Sequence, residues 1–480
     1  MCRLLKGLCV VVFAALLITL PGLIAADEPA QPDNAKPAPT APQLKITETA
    51  LGKAKAKIDG PLYVSVSPNS KRVAYRATRA GKWFAVVDGV DGKEYDGILV
   101  SSCFFSPDSK RIAYFAVHGK KQLVVVDGTD GKEYDDISVS GVFSPDSKRV
   151  AYLAKRGEKW LAVIDDAEGK QYDAIANTGL IFSPDSKRVA YLAKRGEKWV
   201  AVIDGTDGKE YDDIWDGWTI FSPDSKRVAY TACRGEKWFA VVDGVEGKEY
   251  DDIAGREHIF SPDSKRVAYA AHRGGKWFAV VDGVEGKEYD RVGQSLLDRG
   301  IIFSPDSQRV AYTACRGGKW FAVVDDVAGK EYSDIGRMTG PIFSPDSKRV
   351  AYSAILRPKK MFAVIDGVEG KEYDDFSGLG YDIVFSPDSK RAAYEVRGSL
   401  LVVDDKEYFQ ASEPAFGPDS KYVAYIAAKK GKLSIVVDGV ECKDKQYDTR
   451  LGRLLFDSPT KLHTLMLRDG EIFLVEIEIT

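Results

Sequence analysis

The residues with chemistry to offer are few, and most of them recur. The four histidines, His118, His258, His272 and His463, are spaced neither from one another nor from a cysteine as metal ligands are. His272 takes the place that Lys155, Lys194, Cys233 and Cys315 take in other copies of a repeat. A turn-edge position with a partly buried stem accounts for it better than a catalytic base. Aspartates crowd stretches such as "DGTDGKEYDD" at 127–136, which lack the Asp-x-Asp-x-Asp-Gly order of a calcium loop. Asp beside Gly is what a hairpin turn needs. Trp83, Trp160, Trp199, Trp238, Trp277 and Trp320 each follow a lysine. Such a row can stack on sugars, but Gln122 and Met361 replace it in other copies, which fits packing between sheets. The repeated Lys-Arg pair lies near many aspartates and reads as a solvated, charge-paired surface.

The copies differ in one place. Short segments after the last strand of each unit read "SVSG" at 138–141, "ANTGL" at 176–180, "WDGWT" at 215–219 and "AGREH" at 254–258. They continue as "GQSLLDRG" at 293–300, "GRMTG" at 336–340 and "SGLGYD" at 377–382. These segments carry Trp215, Trp218, Arg256, His258, Arg299, Arg337, Met338 and Tyr381. Aromatic and arginine side chains on loops are the usual anchors of a binding surface. Drift in unconstrained loops is the competing explanation.

The elements that position them are spelled by the repeat. Ser-Pro recurs at Ser67, Ser106, Ser144, Ser183, Ser222, Ser261, Ser304, Ser344 and Ser386, with weaker forms beginning at Phe416 and Phe456, for eleven units. Most are 38 to 40 residues apart. In "FSPDSKRVAYTACRGEKWFAVVDGVEGKEYDDI", 221–253, an apolar segment ends at Phe221 and Ser-Pro-Asp-Ser turns the chain. "KRVAYTA" and "WFAVVD" are strands joined through "RGEK", and "KEYDDI" is a polar last strand after a Gly-rich turn. Four-stranded meanders at this period predict an all-β protein, a β-propeller of about eleven blades. The two monotonous turns share one face, and the variable connections share the other with "RGEK". Eleven blades form either two rings of about six and five, broken near 291–301, or one large ring. The two-ring arrangement is favoured. It divides the repeats into 45–300 and 301–480. The last unit supplies three segments and ends at Thr480, so its missing outer strand is expected from Leu44 to Asp59, with Lys55 to Asp59 standing where other units have "KEYDD". Pairing the two ends removes open edges.

The remaining composition is ordinary. Sixty-eight Lys and Arg against seventy-one Asp and Glu give a net charge of −3, which argues against a general nucleic-acid binder. Residues 1–26 read as a signal peptide: Arg3 and Lys6, an apolar run from Leu8 to Leu20, then Ala25-Ala26 at the expected cut. An uncleaved membrane anchor is the rival reading. Residues 27–44 are a Pro- and Ala-rich, extended linker. Cys103, Cys233, Cys315 and Cys442 follow the signal and are expected to be small buried residues rather than a disulfide framework.

With "FSPDSKRVAY" repeated, the chain resembles the TolB-like family of WD-like propellers in bacterial envelope proteins. The resemblance spans 45–480 and rests on Ser222-Pro223-Asp224 and Lys226, with Ser225 where the family favours Gly. It implies a propeller in the periplasm or outside the cell. The α/β domain that precedes the propeller in TolB does not occur here, nor does the Gly-x-Ser-x-Gly elbow of propeller-bearing peptidases. The expected function is a non-enzymatic scaffold, without cofactor or metal, that binds a protein or envelope polymer through the variable loops. The alternative is an enzyme acting on glycan or a similar substrate with carboxylates around the channel, which needs a unique constellation that repeats do not provide. A structural spacer is the third reading.

Overall fold

The computed structural model describes residues 42–53, 64–99, 103–138, 141–176, 179–215, 219–254, 259–293, 300–335, 340–356, 360–374, 383–396, 400–442 and 445–480. The expected signal peptide, most of the linker and Lys55 to Asp59 lie outside them. Among the described residues every regular element is a strand, and the strands pair antiparallel into eleven small sheets, the blades of one propeller.

Blade 5 shows how the repeat builds a sheet. Its second strand, Val228–Arg234, and third strand, Lys237–Val242, are joined at Gly235, whose φ of 61° suits a residue without Cβ. Both strands are apolar on two faces because blades lie on either side, and alanines such as Ala229 are fully buried there. Val245–Glu246 and Tyr250 pair with the third strand as the outer edge. Core clusters draw on neighbouring blades: Ala240 and Tyr250 of blade 5 pack with Val267, Tyr269 and Phe278 of blade 6.

The chain crosses to the next blade earlier than the sequence suggests. "KEY" stays in the outer strand, whereas Asp252–Ile253 already pairs with His272 and Ala271 of the following sheet. Ile259–Phe260 then pairs with Ala268 and Val267 of that same strand. The inner strand of each such blade therefore comes in two halves around the variable segment. Tyr269 and Ala270 separate the two pairings, and in blades 2 to 8 the variable segment is bracketed in this way by two halves of one inner strand. This corrects the placement of these segments on one face beside the "RGEK" turns. What lies beside that turn is the crossing itself, where the Gly235 amide donates to Asp212 Oδ2 at 2.7 Å.

The Ser-Pro-Asp-Ser turn joins blades as well as strands. The Ser222 hydroxyl donates to Asp224 Oδ1 at 2.6 Å and accepts from the Arg227 amide at 2.9 Å. Ser225 sits in the left-handed region at φ 66° and is buried. Its Oγ accepts the Asp185 amide of the preceding blade at 2.9 Å. Nine such bonds, at 2.8–3.0 Å, run from blade 1 to blade 10. Serine costs more backbone strain here than glycine, but only serine reaches the neighbour. Arg227 is the second link: the charge pairing expected of the Lys-Arg pair is present between Arg227 and Asp243, and the same side chain also reaches the next blade. Its Nε pairs with Asp243, its Nη1 donates to the Ser264 and Lys265 carbonyls of blade 6, and its guanidinium lies 5.2 Å from the Phe260 ring. Farther out, the Tyr211 hydroxyl reaches Glu246 of the next blade at 3.2 Å. Short serines near the inner strand and long tyrosines at the outer strand match a wedge-shaped gap, the geometry of a ring.

The ring is single. The blade 6 to blade 7 junction, where a break into two rings would fall, carries the ordinary bond from the Asp263 amide to Ser307 Oγ at 2.9 Å. Blade 11 closes on blade 1, with the Arg453 amide donating to Ser70 Oγ at 3.0 Å. The two-ring arrangement favoured from the sequence is therefore not the one found. As expected, the N-terminal strand Leu44–Lys53 completes blade 11 by pairing with Glu471–Ile479. Glu48 anchors it through Arg468 at 2.8 Å, Lys445 at 2.8 Å and the Tyr447 hydroxyl at 2.6 Å. Burial pushes the Glu48 carboxyl up, but these three donors outweigh it and hold it at about 2.

Two outcomes follow. Ser225→Ala, which strands the Asp185 amide, lowers unfolding stability by about 1–3 kcal/mol, and Ser225→Gly by less, because it relieves the left-handed strain. Urea denaturation of the pair checks this. Glu48 stabilises the closed ring fully above its ordinary value of 4.5, and this contribution is lost as pH falls towards 2. Glu48→Gln therefore costs about 2–4 kcal/mol at neutral pH, with the deficit narrowing in acid, as read from denaturation midpoints across that range.

Candidate functional site

The inner strands gather what the sequence scatters. In blades 3, 5, 6 and 8 the first half of the inner strand carries Asp136, Asp213, Asp252 and Asp334, and in blade 7 it carries Arg291. Ile137, Ile214 and Ile335 follow as buried anchors, and their amides donate to the preceding carboxylates at 2.9–3.0 Å. Burial pushes the Asp252 carboxyl up. In blades 2 to 8 the variable segment follows this first pair, which is Asp-Ile in four of them, and precedes the next apolar pair. In blade 5 the second pair is Ile220–Phe221. Every segment so placed enters and leaves at the same register, on the edge strand of its sheet that lies on the Ser-Pro side.

Of the expected binding residues, Trp215 is described. Its amide donates to the Thr231 carbonyl at 3.0 Å, and the residue is 39% exposed. The ring lies edge-on to Trp238 with centroids 5.5 Å apart. Trp218, Arg256, His258, Arg299, Arg337, Met338 and Tyr381 lie outside the described residues. Thr219, where the blade 5 segment rejoins its strand, buries an Oγ1 that finds no hydrogen-bond partner among the described residues.

The repeated residues take structural places. Trp83, Trp160, Trp199, Trp238, Trp277 and Trp320 are half-buried against the inter-blade cores. Lys155 and Lys194 cover two of these rings, and His272 lies 5.0 Å from Trp277. The aspartates of the Gly-rich turns hold the backbone: Asp243 Oδ1 accepts the Val228 amide at 2.9 Å while its φ is 53°. Cys103, Cys233, Cys315 and Cys442 are buried, and among the described residues none forms a disulfide. Sequence reasoning missed the inner-strand aspartates because it assigned "DDI" to the outer strand. The signal was present, since the isoleucine after them is apolar in a stretch read as polar.

Comparisons with known proteins add little to this. No protein-family model matches the chain, and no curated protein matches it. Among solved structures, a crystal structure of a eukaryotic initiation factor is 11% identical with a TM-score of 0.39, over 79% of this chain and 96% of that one. TolB from Acinetobacter baumannii is 15% identical with a TM-score of 0.26, over 55% of this chain and 76% of that one. Likenesses this distant carry no functional argument, and the propeller rests on the chain's own strand pairing.

Trp215 packs at the edge of the core rather than within it. Trp215→Ala is expected to change the near-ultraviolet circular dichroism through loss of the Trp215–Trp238 pair. It is expected to shift stability by no more than about 1 kcal/mol, as measured by urea denaturation.

Proposed function

We propose that this chain is an exported, non-enzymatic propeller that binds a protein or an envelope polymer through the variable segments of its inner strands. One observation carries the proposal: in blades 2 to 8 the variable segments are bracketed by two halves of the inner strand at one register, while repeated serine, arginine and tyrosine residues join neighbouring blades. A rigid ring that presents unlike segments at like positions suits recognition. Trp215 supplies an exposed aromatic ring of the kind that anchors interfaces. The resemblance of the Ser-Pro-Asp repeat to TolB-like propellers and the signal-like start of the chain support a place in the bacterial envelope. The second reading, an enzyme acting on glycan at the inner strands, draws on one observation: burial pushes the Asp252 carboxyl up, the direction a general acid needs.

The test is a crosslinking pull-down from cell-envelope extract with the mature chain. A control carries "SVSG" in place of 215–219, 254–258 and 293–300. A partner captured by the first and lost from the second is the expected result. A partner kept by both moves the site elsewhere on the ring. Turnover of a glycan that stops with Asp252→Asn would establish the enzyme instead.

A further inference from the structure

Blade 11 departs from the repeat at the point where it meets blade 1. The second position of the second strand is a fully buried alanine from Ala74 in blade 1 to Ala424 in blade 10. In blade 11 the same register position is His463, also buried. Two further departures touch it. Asp457 stands after Phe456 where the other blades have Ser or Gly, and Asn69 replaces the turn aspartate in blade 1. His463 Nδ1 lies 2.8 Å from Asp457 Oδ2, and its Nε2 lies 2.6 Å from the Asn69 carbonyl oxygen across the seam. Lys71 of blade 1 also reaches Asp457, at 3.1 Å. Asn69 still accepts the Ser67 hydroxyl and the Lys71 amide, so it keeps the turn without placing a second carboxylate beside Asp457.

Both ring nitrogens of His463 therefore face oxygens that only accept. An imidazole with a proton on each nitrogen donates to both, whereas a neutral ring donates to one and turns a lone pair on the other. A lone pair held against a buried oxygen is costly. The charged groups around the ring are Asp457 on its own turn, Lys71 on blade 1 and Glu476, which is opposite His463 on the adjoining strand. Burial pushes the Asp457 carboxyl up, but His463 and Lys71 hold it below the usual range, so it stays an anion into mild acid.

We propose that the seam between blade 11 and blade 1 is a protonation-dependent latch, closed by a His463 imidazolium that bridges Asp457 and the Asn69 carbonyl. The other junctions, built from serine, arginine and tyrosine, do not change charge between pH 5 and 8, where histidine does. The latch is tight while the ring holds both protons. It weakens as pH rises and the ring gives one up, so the seam loosens on the alkaline side.

Amide hydrogen exchange on the full chain tests this. Protection factors, corrected for intrinsic rates, are compared at about pH 6 and about pH 8.5. The seam strand Val73–Arg79 is set against Val228–Arg234 as control. The expected result is an about tenfold loss of protection at the seam on raising pH, no such loss in the control, and no pH dependence at the seam in His463→Ala. That variant installs the residue the other ten blades hold. Equal seam protection at both pH values, or pH dependence that persists in His463→Ala, overturns the latch. Should the variant not fold, nitrogen-15 imidazole spectra of a chain with His118, His258 and His272 changed to Gln decide the matter. Two protonated ring nitrogens at about pH 6 support the latch, and a single neutral tautomer from about pH 5 to 8 refutes it.

Discussion

The bond from a turn amide in one blade to a left-handed serine in the next is the interaction on which this propeller depends. A meander of four short strands has two apolar faces and cannot be stable alone. It needs a neighbour on each side at a fixed spacing. Hydrophobic contact supplies the attraction but not the spacing, because it is non-directional. The serine supplies the spacing: a hydroxyl on a one-carbon arm reaches the neighbouring amide only when the inner parts of two blades lie close. Arginine, stacked on the next blade's phenylalanine, and tyrosine, reaching the next blade's carboxylate, span the wider parts of the same wedge. The serine and arginine reaches each recur at nine successive junctions, with a tyrosine reach beside most of them, and this fixes one wedge angle on which eleven blades close one ring.

That division of labour explains why the repeats are so monotonous. A residue that must fit two blades at once tolerates little change, and an error in one unit would alter the angle of the ring. The inner-strand insertions are under no such demand. They leave and rejoin a strand whose pairing is already fixed by the flanking Asp-Ile and Ile-Phe pairs, so their length and composition vary without disturbing the wedge. The seam is the exception among the junctions. There Ser70 still accepts an amide, from Arg453, but His463 and Asp457 of blade 11 reach Asn69 and Lys71 of blade 1 in place of the arginine and tyrosine links, because the chain's two ends meet instead of one running unit.

Much of this was legible in the sequence. The blade count, the Ser-Pro turns, the packing role of the tryptophans and the donation of the N-terminal strand to the last blade all follow from repeat spacing and residue type. The number of rings was not legible, because the wedge angle is set by inter-blade contacts that leave no mark on periodicity. The extra residues at 291–301 read as a break between rings, yet Arg291–Val292 and Ile302–Phe303 on either side pair with one strand of blade 7, as in the other blades. Ser225 in place of glycine was visible, but nothing in one unit shows that its hydroxyl serves another. The variable segments were recognised, but their position was misread by one strand. "KEYDDI" looks like a single polar element, and only the pairing of Asp-Ile with the following sheet divides it.

The most direct test of the inter-blade relay is residue-level amide hydrogen exchange at the Asp of each Ser-Pro-Asp-Ser turn. Asp185, Asp224 and Asp263 are exposed turn residues whose amides donate to a buried serine of the next blade. These amides are predicted to exchange as slowly as those of the second strands, Asp263 included. Exchange at the rate of an open turn would contradict the relay, and fast exchange at Asp263 alone would contradict the single ring.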